Sequence, residues 1–256
     1  MNINPAKALG AAIMSATLAA ATPGATQAAP KAPTPIHNIV LVHGAWADGS
    51  GWRGVYDILR KDGYTVRVVA NPDATLADDV AATKRTIALM DGPVILVGHS
   101  YGGAIITDAG NDPKVAGLVY IAAFAPENDE PLFKYLTGAP PVTASADGFL
   151  FLNRDAFLAA FAPDVPQADR EFMADSQVPV GAANGGATIK HAAWHEKPSW
   201  YLVSKDDRII PPDLERMYAK RAGSTTEETP GSHVAFVAHP EQAAALIEKA
   251  AKGAAK

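Results

Sequence analysis

No cysteine occurs in the 256 residues. Disulfides, thiolate zinc sites, iron–sulfur clusters and cysteine nucleophiles are excluded together. The histidine patterns H-x-H and H-E-x-x-H are also missing, so no metal framework is expected. No basic run of five residues appears and the net charge is −5, which leaves no footprint for nucleic acid. No repeat of 20–50 residues is visible. What is present is ordinary for a globular chain: 48% apolar and 19% charged residues. Composition alone is equally compatible with an enzyme and with a binding module that does no chemistry.

The first residues carry one charge, Lys7, before Lys31. Ala8 to Ala21 is a small apolar stretch, too short and alanine-rich to span a bilayer. Thr26 and Ala28 are small residues at the −3 and −1 positions of a cut after Ala28. Residues 1–28 are therefore expected to be a signal peptide, 29–37 a proline-rich linker, and the product periplasmic or secreted. No cysteine follows the apolar stretch, so no lipid or membrane anchor is expected.

From Asn38 onward the apolar residues come in short unbroken runs: Ile39 to His43, Thr65 to Ala70, Pro93 to Gly98, Val115 to Phe124 and Trp200 to Ser204. Unbroken runs suit strands buried on both faces of a parallel sheet. Helical patterns lie between them. Trp52, Val55, Tyr56 and Leu59 form one stripe, stopped by Gly63. Thr75 with Asp78 starts a helix that should run to about Met90. Further helices are expected over 101–111, 212–222 and 241–252. Strand–helix alternation predicts the α/β class, a doubly wound, mostly parallel sheet. The stretch 127–197 breaks that rhythm. It holds six of the eight phenylalanines, several prolines and short helical pieces at 155–161 and 167–175. It is expected to be a helical cap inserted between strands, over the carboxyl edge of the sheet.

Gly98-His99-Ser100-Tyr101-Gly102 is G-x-S-x-G between a buried strand and a helix. Glycines are needed there because a sharp strand-to-helix turn leaves no room for Cβ atoms beside the serine. The turn lifts the Ser100 hydroxyl clear of the sheet. A hydroxyl is a weak nucleophile and needs a base. His233, in a loop before the last helix, has the right place in the order Ser, acid, His. His43 and His99 belong to turns, His191 and His195 to the cap, and His37 and His239 flank elements. The acid should follow the next-to-last strand. Asp207 has the better spacing to Ile210-Pro211, with Asp206 as a turn former and Glu127 or Asp129 as remote alternatives. His43-Gly44-Ala45 ends the first strand in a glycine turn, so the amides of Ala45 and Tyr101 could converge on an oxyanion. Gly98 to Gly103 does not have the G-x-G-x-x-G spacing, and no dinucleotide or other cofactor is expected.

IVLVHGAWADGSGW, PVILVGHSYGGAIITDAG, VYIAAFAPE, YLVSKDDRIIPP and GSHVAFVAHPE resemble the α/β-hydrolase superfamily. The branch they are most similar to is that of small bacterial esterases related to plant methyl esterases and hydroxynitrile lyases. The resemblance implies the α/β-hydrolase fold, Ser100 as nucleophile, Asp207 as acid, His233 as base, and Ala45 and Tyr101 as oxyanion amides. The lyases carry a threonine where Gly44 stands and a lysine where Val234 stands, which favours ester hydrolysis over cyanohydrin cleavage. The family also holds cap-gated receptors that keep a triad, so a ligand-binding role stays open. The expectation is a serine hydrolase acting on a small carboxylic ester, with Trp46, Trp194 and Phe124 as wall residues for an apolar or aromatic group.

Overall fold

The computed structural model describes residues 35–138 and 140–255. The expected signal peptide at 1–28, and all of the linker but its last three residues, lie outside them.

Five of the apolar runs become strands, and a polar sixth joins them at the edge. In chain order the elements are β1 (Asn38–Val42), α1 (Arg53–Lys61), β2 (Thr65–Val68), α2 (Leu76–Ala88), β3 (Val94–His99), α3 (Gly102–Ala109) and β4 (Val115–Ile121). After a long insertion come β8 (Ser199–Ser204), α6 (Pro212–Arg221), β9 (Thr225–Thr229), α7 (Ala235–Ala238) and α8 (Pro240–Gly253). The insertion itself holds β5 (Val142–Ala144), β6 (Phe149–Leu152), α4 (Arg154–Ala156), α5 (Gln167–Asp175) and β7 (Val180–Gly181).

The main sheet runs β2-β1-β3-β4-β8-β9, and every pairing in it is parallel. β1, β3 and β8 are buried at every position, the signature of a sheet covered on both faces. One face packs Leu96, Ile105, Leu118 and Tyr218 with α2, α3 and α6. The other packs Ile39, Trp52, Leu59, Ile95 and Leu246 with α1 and α8. β9 reads Thr-Thr-Glu-Glu-Thr and is mostly solvent-facing, so it closes one edge with polar side chains that discourage further pairing. Thr75 caps α2 as its spacing predicts, accepting from Asp78 N, although the helix stops at Ala88 rather than near Met90.

The insertion is not purely helical. β5, β6 and β7 form a separate antiparallel sheet, and α4 passes into a wider turn over Phe157–Phe161. Asp147-Gly148 supplies the hairpin reversal, with Gly148 at φ +87°. Trp46 Nε1 donates to Leu150 O at 2.9 Å, and Gly181 N donates to Asp73 O at 2.8 Å. These bonds fasten the small sheet to the loops that leave β1 and β2.

Sheet order places the candidate residues. β1 and β3 are neighbours, with Val42 paired to Gly98, so the turns that leave them lie side by side. β8 and β9 are neighbours too, with Ser204 paired to Thr229. The loops carrying Asp207 and His233 therefore start together.

Candidate active site

Ser100 follows β3 with φ +52°, in the left-handed region that a non-glycine residue enters at a cost. The turn is held by Ser100 N to Ile121 O (3.3 Å), and by Gly103 N (2.9 Å) and Phe124 N (3.1 Å) donating to Ser100 O. The surrounding glycines are packing requirements. A Cβ on Gly44 would stand 2.7 Å from Ser100 Cβ, and one on Gly102 would stand 2.6 Å from His43 O. α3 starts at Gly102, so its amino end lies beside the serine.

His233 Nε2 lies 2.8 Å from Ser100 Oγ, and His233 Nδ1 lies 2.6 Å from Asp207 Oδ2. A carboxylate only accepts, so Nδ1 carries the hydrogen and Nε2 is free to accept from the serine. Asp207 Oδ1 accepts from Ile209 N (2.6 Å) and Ile210 N (2.9 Å), which explains why the spacing to Ile210-Pro211 marks it. Asp206 instead accepts from Gly231 N at 2.9 Å and ties the acid loop to the histidine loop. The ring of His233 is fully buried and Ser100 is 4% exposed, so the hydrogen-bonded chain is shielded from water.

Of the seven histidines, only His233 bonds to Ser100. His99 supports it: His99 Nε2 donates to His233 O at 2.9 Å. Burial, and then the neighbouring His233 ring, hold His99 far below the usual histidine range, which keeps it neutral. Glu127 and Asp129 lie on the surface, paired with His195 and Lys190.

Ala45 and Tyr101 sit at the carboxyl ends of the adjacent strands β1 and β3. Among the described residues, neither amide donates a hydrogen bond to another group. The Tyr101 side chain is buried, its hydroxyl donating to Asp79 Oδ2 at 2.7 Å. Asp79 Oδ1 accepts from Asp73 N (2.8 Å), and Asp73 Oδ1 accepts from Asn71 Nδ2 (2.6 Å). Asp73 O takes bonds from Gly181 N and Asn184 Nδ2, so this network joins the Tyr101 side chain to the insertion.

Two buried acids in contact cannot both ionise cheaply. Burial, reinforced by the Asp79 charge, raises Asp73 to about 9. Burial raises Asp79 to about 6, against the pull of the Tyr101 hydroxyl. Asp73 is thus neutral at pH 7, and its Oδ2, which meets no partner among the described residues, has room for the proton. A folded value above the unfolded one means that stability is full in acid and falls as pH rises towards 9. The slope is about 1.4 kcal/mol per pH unit for one proton. Asp73→Asn mimics the neutral acid and has no such slope. Its melting temperature is expected to exceed that of the wild type at pH 8 and to converge with it near pH 4. Parallel melting curves at all pH values would contradict the assignment.

Phe124 is buried and adjoins Ser100 through its backbone amide. Trp46 sits at φ +57° in the turn after β1 and bridges to β6. Trp194 is buried in the core on the α3 side, with Nε1 donating to Pro126 O at 3.0 Å; no hydrogen bond links it to Ser100. Sequence reasoning missed two insertion residues at His233. The Phe161 ring meets the imidazole edge-on at 4.9 Å, and Asp164 accepts from Ser232 N at 2.7 Å. It also missed a G-x-G-x-x-G spacing at Gly49–Gly54. There a Cβ on Gly49 would meet Val68 and one on Gly54 would meet Pro240, so those glycines serve packing. Among the described residues no group of three or more His, Asp or Glu could hold a metal ion, and no helix is long and apolar enough to cross a membrane.

A poised hydroxyl, an imidazole held by a carboxylate, and two free amides form a set able to carry out acyl transfer. Comparison with known proteins points the same way. A family model described as the alpha/beta hydrolase family matches residues 39–246. A carbendazim hydrolyzing esterase from Nocardioides sp. (strain SG-4G) is 30% identical over 64% of this chain and 81% of its own. A pyrethroid hydrolase from Sphingobium wenxiniae is 29% identical over 83% of this chain and 86% of its own. The crystal structure of polyneuridine aldehyde esterase shares the fold, with a TM-score of 0.73 at 17% identity, over 84% of this chain and 98% of its own.

Proposed function

The chain belongs to the alpha/beta hydrolase family, and from that premise we propose that it cleaves a small carboxylic ester through a Ser100–His233–Asp207 triad and an acyl-enzyme. The single observation that carries this reading is the unbroken run of hydrogen bonds from Ser100 Oγ through His233 to Asp207. His233 Nε2 takes the hydroxyl proton as Ser100 attacks the carbonyl. Asp207 holds the ring in the reactive tautomer and stabilises the imidazolium that forms. The amides of Ala45 and Tyr101 receive the oxyanion, each donor contributing about 2.7–4 kcal/mol in such sites. His233 then hands its proton to the leaving alkoxide. The freed imidazole next deprotonates a water, which attacks the ester on Ser100 and regenerates the enzyme.

An ester is the preferred bond because the named relatives include an esterase, and because the residue after His233 is the buried, apolar Val234. No ammonium group stands at that position to receive a cyanide leaving group. The insertion acts as a cap: its Phe161 lies against the His233 ring and its β6 is fastened to Trp46 of the turn after β1, favouring an apolar or aromatic acyl or alcohol group. Residues 1–28 direct the protein to the periplasm or the medium.

Rapid mixing with p-nitrophenyl acetate tests the reading. The expected trace is a burst of one p-nitrophenolate per protein followed by slower steady release. Tight binding of esters without turnover would mark a receptor instead.

A further inference from the structure

Glu215 has no role in the relay described above, yet it lies directly behind it. It sits in the first turn of α6, where an acid ordinarily faces solvent and favours the helix amino end. Here it is fully buried. Its Oε2 accepts from Ser204 N at 3.1 Å, and among the described residues its Oε1 meets no donor. Ser204 O in turn accepts from Asp207 N at 3.3 Å, so Glu215 is held beside the acid loop and the neighbouring side chain with which it can share a hydrogen is Asp207.

The remaining charged and titratable groups around it do not neutralise it. Arg216, next on α6, points outward and pairs with Asp213 and Glu228. Tyr201, on β8, turns its hydroxyl to the backbone of Ala123. Two carboxyl groups therefore share one buried compartment with no cation among the described residues, a situation that allows a single negative charge. Asp207 has three donors, from Ile209 N, Ile210 N and His233 Nδ1; Glu215 has one. The charge belongs on the better-solvated acid and the proton on the other. Burial, and then the Asp207 charge, push the Glu215 carboxyl well above the usual carboxylate range, in the same direction.

We propose that Glu215 is a positioning residue of the active site: a neutral acid that donates its proton to the Asp207 carboxylate and so holds that carboxylate against His233. The proposal rests on the reading that Asp207 orients the catalytic imidazole. It adds a fourth member to the relay and gives Asp207 a fourth donor, so that the acid cannot turn away when the imidazolium forms.

Two substitutions separate this from a merely structural role. In Glu215→Gln the amide oxygen can accept from Ser204 N while the amide nitrogen donates to Asp207. In Glu215→Leu the volume stays but the donor goes. The His233 ring titration is followed by NMR in each variant, and again in the Ser100→Ala background, so the result stands even if ester hydrolysis is not the activity. With Gln the titration midpoint is expected to stay within about 0.3 pH unit and kcat within about threefold. With Leu, Asp207 has one donor fewer and presses more of its charge on the ring. The midpoint should rise by about half a unit or more, and kcat should fall about tenfold with KM little changed. A midpoint lowered by about one unit in Glu215→Gln would show that a negative charge had been removed, and would overturn the proposal. So would a Leu variant indistinguishable from the wild type. Should Leu fail to fold, the infrared difference spectrum of wild type minus Gln variant decides at neutral pH. A protonated-carboxyl band supports the proposal, and a carboxylate band refutes it.

Discussion

Replacing Ser100 by alanine is expected to lower kcat for ester hydrolysis by about 10⁴- to 10⁶-fold while leaving the fold intact. On the proposed mechanism covalent catalysis stops when the hydroxyl is lost, because among the described residues no other nucleophile bonds to His233 Nε2. What survives is the weak assistance of the oxyanion amides and of binding, which still exceeds the reaction in water. The fold should tolerate the change. The hydroxyl makes its one side-chain hydrogen bond to His233, and the turn is held by backbone bonds of Ser100 N and O that alanine keeps. An unchanged circular dichroism spectrum and a melting temperature within a few degrees of wild type are the controls. Loss of less than about tenfold would place the chemistry elsewhere.

Gly103→Ala should be among the most damaging single methyl additions in the described residues. A Cβ there would stand 2.2 Å from Phe124 O and 2.8 Å from Ala123 Cβ. Both are parts of the chain just past β4, not flexible side-chain tips, so the clash is relieved only by moving α3 off the sheet. That movement would break the bond from Phe124 N to Ser100 O and tilt the serine away from His233. The cost is expected to be about 3–5 kcal/mol, enough to unfold much of a marginally stable domain. Gly186→Ala is the matched control, because a Cβ there meets nothing within 4 Å. The pair is checked by urea melts and by ester turnover of the soluble fraction. Equal stability of the two variants would mean that the turn at Ser100 is far looser than its packing indicates.

The strand runs and the turn at Ser100 were legible because their causes are local. An unbroken apolar run can only be buried on both faces, and a serine between glycines after such a run needs a turn without Cβ atoms. Asp207 was legible through its two-residue and three-residue reach to backbone amides, which spacing alone encodes. Other features have causes that spacing does not carry. β7 is two residues long, too short to show a period, so the small sheet was hidden and the insertion was expected to be helical. Phe161 and Phe172 look alike in sequence. One is buried against His233, while the other is 62% exposed. Asp73, in Asn-Pro-Asp-Ala, looks like a solvated turn residue, and Glu215 like a helix-start acid. Only the fold turns both inward, where burial rather than residue type sets their charge.

The proposed chemistry passes through a covalent bond to one oxygen. Quenching the protein in acid during turnover of p-nitrophenyl acetate, then digesting it and reading the peptides by mass spectrometry, tests that bond directly. One acetyl group on Ser100, absent from the Ser100→Ala protein, is the predicted result. Steady turnover with no acyl group on Ser100 at any time point, or with the acyl group on a different residue, would contradict it.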